Sequence, residues 1–134
     1  MQIFNCGHCG HVVFFDSVQC MHCASTLAFL PEQITMAALA PAPEAGAGLW
    51  RRLGAVQPDA LYRLCYNHTT WDACNFAVPA ASPHLLCIAC RQTHRLPDLS
   101  VSGNLRHWIR IEEAKRQLFY TLARLGLQPT DDSA

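Results

Sequence analysis

Eight cysteines carry most of the chemistry open to this chain of 134 residues, and they fall into two groups of four. The first group is Cys6-Gly-His-Cys9 followed by Cys20-Met-His-Cys23, two C-x2-C pairs separated by ten residues. Two residues between thiols let one tight turn present both sulfurs to one ion. Four such thiolates suit a tetrahedral zinc, at about 2.3 Å per sulfur. Gly10, directly after Cys9, suits the left-handed backbone at the exit of such a turn. Ala24 holds the matching place after Cys23, so the second turn is expected to be strained or to run differently.

The second group is Cys65, Cys74, Cys87 and Cys90. Cys87-Ile-Ala-Cys90 has the same turn spacing, but eight residues separate Cys65 from Cys74. His68 offers a competing arrangement, because Cys65-Tyr-Asn-His68 has the spacing of a C-x2-H turn. Three cysteines plus His68 form a legitimate zinc set but strand the Cys74 thiol, so four cysteines are favoured. Each closed site is worth about 10–16 kcal/mol of apparent binding energy. That is comparable to the whole net stability of a domain, about 5–15 kcal/mol, so loss of metal is expected to unfold the chain around the sites.

The other histidines, His8, His11, His22, His84, His94 and His107, read as ordinary surface or core side chains. None of the seven histidines is followed by Glu, so the H-E-x-x-H helix of a zinc peptidase is missing from this sequence. There is no tight carboxylate pair and no glycine-rich phosphate loop. Two closed four-thiolate sites are expected to hold structure, not to catalyse, and the chain is not expected to be an enzyme.

Net charge is zero, but it is unevenly spread. Residues 1–50 carry Asp16, Glu32 and Glu44 and no Lys or Arg, whereas residues 91–124 carry seven basic groups against three acids. The basic stretch reads as a solvated helix face that could also meet an acidic partner. No signal peptide and no apolar run of membrane-spanning length is visible, so a cytoplasmic chain with no membrane partner is expected. Thiols stay reduced there, and paired cysteines read as metal ligands before disulfides.

The elements that must position these ligands are short. Val12–Phe15 is a β-rich run between the first two cysteine pairs, and Leu27, Phe29 and Leu30 form another after them. Residues 31–48 hold Pro31, Pro41, Pro43, Gly46 and Gly48 among alanines and read as a linker. Pro79, Pro83 and Pro97 argue against a long helix in the middle. A helix is expected after Ser100 or Ser102, stopping at Gly126. Its apolar stripe is Trp108, Ile111, Leu118, Leu122 and Leu125, with Glu112 and Arg116 as an i,i+4 pair outside it. The expected class is small α+β and zinc-stabilised: a zinc ribbon over 1–30, a linker over 31–48, a second zinc module over 49–99, a helix over 100–127 packed on that module through Trp71, Phe76 and Val78, and a loose tail over 128–134.

Several short motifs in order carry a family resemblance. Cys6-Gly-His-Cys9-Gly10, Cys20-x2-Cys23, Cys74-Asn75-Phe76-Ala77-Val78-Pro79, Leu86-Cys87-x2-Cys90-Arg91 and Leu96-Pro97-Asp98-Leu99-Ser100 run on through Asn104, Glu113-Ala114-Lys115-Arg116 and Leu125-Gly126-Leu127. The chain resembles the zinc-ribbon domain at the front of a bacterial family of zinc-dependent metallopeptidases. Phe76 stands where that family tends to have Trp, and Ala24 where it has glycine. The resemblance implies Cys74 as a ligand over His68, two zincs per chain, and a non-catalytic recognition or regulatory module of a metallopeptidase-like protein. A protein partner is expected, through the helix or the ribbon. The alternative, a nucleic-acid-binding zinc ribbon, is weakened by zero net charge and the acidic first half.

Overall fold

The computed structural model describes residues 3–54 and 61–127. Strands β1 (Ile3–Asn5) and β2 (Val12–Phe14) pair antiparallel with Phe4 opposite Val13, and the first cysteine turn is the loop between them. The β-rich run expected from Val12 thus pairs with residues before Cys6.

Five further strands, β3 (Thr26–Leu30), β4 (Thr35–Pro41), β5 (Trp50–Arg52), β6 (Leu61–Leu64) and β7 (Ala77–Pro79), form an antiparallel sheet in sequential order. Its two edges meet. Phe29 and Phe76 form a parallel bridge, and the Phe29 N–H donates to the Asn75 carbonyl at 2.8 Å. Edge groups that would otherwise face water are thereby paired.

Side chains alternate along these strands with period two. Leu27, Phe29, Met36, Ala38, Phe76 and Val78 face a core shared with Phe15 and Tyr120. Ala28, Leu30, Ala37, Leu39, Tyr62 and Ala77 face the other way into a second, smaller core. This overturns the linker expected over 31–48. Met36 to Leu39 are buried in β4, which pairs with β3 on one side and β5 on the other. The alanines that resembled linker composition have a packing reason: a sheet curled until its edges touch leaves little room on its inner face, and Ala28, Ala37 and Ala77 occupy it. Within 31–48, the hairpin turn over residues 31–34 and the turn between Ala42 and Leu49, closed by an N–H···O bond of 2.9 Å, lie outside the strands. The first ribbon and the second module consequently share one sheet. The tail expected over 128–134 lies outside the described residues.

Helix α1 (Tyr66–Trp71) is one short turn and a half, and α2 (Asn104–Arg124) is long. The glycine stop of α2 behaves as expected. Gly126 has φ +73°, and Leu127 N–H reaches back to the Leu122 carbonyl at 2.8 Å while Gly126 N–H reaches Ala123 at 3.1 Å, which satisfies two terminal carbonyls. At the other end the cap is Gly103, not a serine.

The buried face of α2 differs from the expected stripe. Trp108, Glu112, Arg116 and Tyr120 are buried, at steps of four, while Ile111, Leu118 and Leu125 are more than half exposed. Glu112 and Arg116 are not partners of each other. Glu112 pairs with Lys115 at 2.8 Å, and Arg116 donates to the Ala73 carbonyl at 2.7 Å. Tyr120 lies against Phe4, Phe15 and Phe29, with ring centroids 5.9, 5.2 and 5.8 Å away. The helix therefore packs on the first hairpin as well as on the second module. Phe76 and Val78 share its core, but Trp71 remains partly exposed.

Candidate metal centres

In the first centre, Cys6 and Cys9 come from the turn after β1, and Cys20 and Cys23 from a second turn before β3. The two turns are near copies. Cys6 N–H donates to His11 and Cys20 N–H to Ser25, while Gly10 N–H returns to Cys6 and Ala24 N–H to Cys20, each of the last two at 2.9 Å. Gly10 has φ +78° and Ala24 has φ +63°, so alanine takes up the left-handed conformation that glycine adopts without strain. The strain expected at Ala24 is present. His8 lies inside its turn and its own N–H donates to Cys6 Sγ at 3.4 Å. His11 and His22 stack over the outside of the turns, 4.7 Å apart.

In the second centre, Cys65 closes β6 and Cys74 follows α1. Six of the eight intervening residues form α1, and the chain then reverses through Asp72 at φ +51° and brings Cys74 back beside Cys65. Cys87 precedes and Cys90 opens a 3-10 turn, Cys90–Gln92. His68 is directed elsewhere: its Nδ1 lies 2.7 Å from the Cys74 carbonyl, where it holds the ligand loop without being a ligand.

Each quartet brings its four sulfurs within 4.8 Å of one another. Measured edges are 3.7 Å for Cys6–Cys23, 3.6 Å for Cys9–Cys20 and 3.7 Å for Cys74–Cys87. A tetrahedron of sulfurs about 2.3 Å from a central zinc has edges of about 3.8 Å, so the donor set and its size fit that ion. Backbone N–H groups of Phe76, Cys87 and Cys90 point at Cys74, Cys65 and Cys87 sulfurs at 3.3–3.4 Å, spreading the negative charge of a thiolate cluster.

Thiols this close cannot all ionise without a cation. Hydrogen bonds from Cys74, Cys87 and Cys90 hold Cys65 far below the ordinary thiol range, while Cys65 raises Cys74 and burial raises Cys87. In the first centre the Ser25 hydroxyl and backbone bring Cys23 down to about 6. The His11 backbone acts to lower Cys9, but desolvation and the thiols of Cys20, Cys23 and Cys6 outweigh it and push Cys9 up to about 12. Such proton-sharing sulfurs lose their remaining protons when a dication supplies the opposing charge.

Side chains outside the quartets position them. Asn75, buried beside Cys74, donates through Nδ2 to the Phe15 carbonyl at 2.6 Å and the Ser17 carbonyl at 3.3 Å, tying the second centre to the first ribbon. Arg116 holds Ala73 on the other side of Cys74. Downstream of Cys90, Thr93 donates to Glu112 Oε1 at 3.3 Å and accepts from Lys115 at 2.6 Å, while Trp108 Nε1 donates to the same Glu112 oxygen at 3.1 Å. Helix α2 thus grips both the Cys74 and the Cys90 ends of the second centre. The i,i+4 spacing of Glu112 and Arg116 was the one sequence signal for this, and it suggested a surface pair.

A small α+β fold with two four-cysteine clusters and one long C-terminal helix defines a metal-stabilised module. A family model described as a zinc-ribbon domain matches residues 3–101, and the chain belongs to that zinc-ribbon family. Comparison with curated proteins and with solved structures gives no match. Among the described residues no helix is long and apolar enough to cross a membrane.

Proposed function

We propose that this chain is a non-catalytic module in which both quartets hold zinc as a structural ion, and that it serves recognition or regulation within a metallopeptidase-like protein. The observation behind the first part is that each site offers four cysteine sulfurs from the chain itself. A catalytic zinc keeps one position open for water and needs a general base beside it, whereas four thiolates fill every position. All four cysteines of the second centre are buried.

Support for the second part is the motif order named above, and especially Cys74 directly before Asn75. In the fold the segment Cys74-Asn75-Phe76 supplies a ligand, the joint to Phe15 and the bridge to Phe29.

Native mass spectrometry of the purified chain is expected to show two zinc ions, and the same preparation is expected to leave peptide substrates intact. Zinc-dependent proteolysis abolished by a single cysteine substitution would overturn the non-catalytic reading. An H-E-x-x-H peptidase encoded in the same gene or beside it supports the metallopeptidase association, and its absence from the locus removes it.

A further inference from the structure

Above the second centre lies a cleft of about 600 Å³, walled by α1, the loop before Cys87, the segment after Cys90, and Trp108 of α2. Four exposed large apolar side chains converge on it: Tyr66, Trp71, Leu85 and Leu96. Single exposed apolar residues are ordinary, but a cluster around a concavity marks a binding surface.

The Arg, Lys, Asp and Glu side chains lining this cleft are all basic, while the ligand Cys90 of the thiolate centre also forms part of its wall. Arg91 and Arg95 line it with His84 and His94, and no Asp or Glu does. The nearest buried acid, Glu112 beneath Trp108, is already paired with Lys115. Arg95 is exposed and takes part in no ion pair among the described residues. Along one lip, His94, Arg95 and Leu96 have no regular secondary structure, and their backbone groups make no backbone hydrogen bond among the described residues. Free main-chain donors and acceptors beside apolar pockets are how a fold receives an extended peptide.

We propose that this cleft binds an extended acidic peptide segment, seating a bulky apolar side chain between Trp71 and Leu85 and a neighbouring carboxylate at Arg95. The proposal deepens the recognition role inferred above and rests on it. An aromatic wall with arginines could also stack bases of single-stranded nucleic acid. The peptide is favoured because zero net charge and an acidic first half disfavour a polyanion, and because the unpaired lip offers both main-chain donors and acceptors, the pairing that an added peptide strand uses.

The test is a selection of random octapeptides on the zinc-loaded chain, followed by fluorescence anisotropy with the enriched peptide, its Asp/Glu→Lys version and a thymidine oligonucleotide. The expected result is enrichment of a bulky apolar residue next to Asp or Glu. Binding should be about tenfold or more weaker in Arg95→Glu, where a like charge meets the carboxylate, and weakened in Leu85→Ser. Both residues are exposed, so the variants should keep two zincs and the wild-type melting temperature. No enrichment, equal binding by both variants, or preference for the Lys peptide or the oligonucleotide overturns the proposal. With zinc content intact and no peptidase activity, those outcomes leave the structural-zinc reading standing. Peptidase activity in the chain strikes that reading instead.

Discussion

Arg116 Nη1 donates to the carbonyl of Ala73 at 2.7 Å, one residue before the ligand Cys74, and both groups are buried. A buried carbonyl left without its donor costs about 1–3 kcal/mol. Arg116→Met should therefore speed zinc release from the second centre to a chromogenic chelator. Leu118→Ala, on the exposed face of the same helix, should leave release unchanged.

The Asn75 side chain joins the second centre to the first ribbon through the carbonyls of Phe15 and Ser17. Asn75→Ala should lower stability by about 1–3 kcal/mol. Asn75→Asp should be worse, because a buried carboxylate would face two carbonyl oxygens. Thermal unfolding at fixed zinc concentration checks the order.

The centres should differ in lability. Cys9 is exposed and Cys23 only partly buried, whereas Cys65, Cys74, Cys87 and Cys90 are all buried. Chelator kinetics should be biphasic, with alkylation by iodoacetamide, read by peptide mass mapping, reaching the first quartet in the fast phase. Alkylation of Cys87 or Cys90 in that phase would contradict the assignment.

Ala24 sits at φ +63°, where an L-residue costs about 1–2 kcal/mol relative to its ordinary conformations. Ala24→Gly should raise stability by about 1 kcal/mol, and Gly10→Ala should lower it by a similar amount. Zinc titration of both variants, followed by unfolding, measures each change.

Much of the metal chemistry was legible because turn spacing is local: Cys6–Cys9, Cys20–Cys23 and Cys87–Cys90 need only their own few residues. Cys74 was harder, since its approach to Cys65 depends on α1 and the reversal at Asp72. The extent of α2 was legible from its glycine stop, but its orientation was not. Glu112 and Arg116 are buried because Thr93 and the Ala73 carbonyl wait for them, and nothing in the helix sequence announces those distant groups. Likewise Ala37 looks like filler in a line of text, and its small side chain has a packing reason only when the sheet curls and leaves little room on that face.

The Phe29–Phe76 bridge has a bearing on how the chain reaches this shape. The hairpin with Cys6 and Cys9 and the neighbouring turn with Cys20 and Cys23 close over short loops, which cost little entropy and form early. The seam between β3 and β7 does not. Its neighbouring bond from Asn75 to Phe15 spans 60 positions, so the ordering cost of everything between must be met before the seam gains anything. The first cysteine hairpin is thus expected to form ahead of the seam, with the joining of the sheet's two edges as the later step that commits the chain.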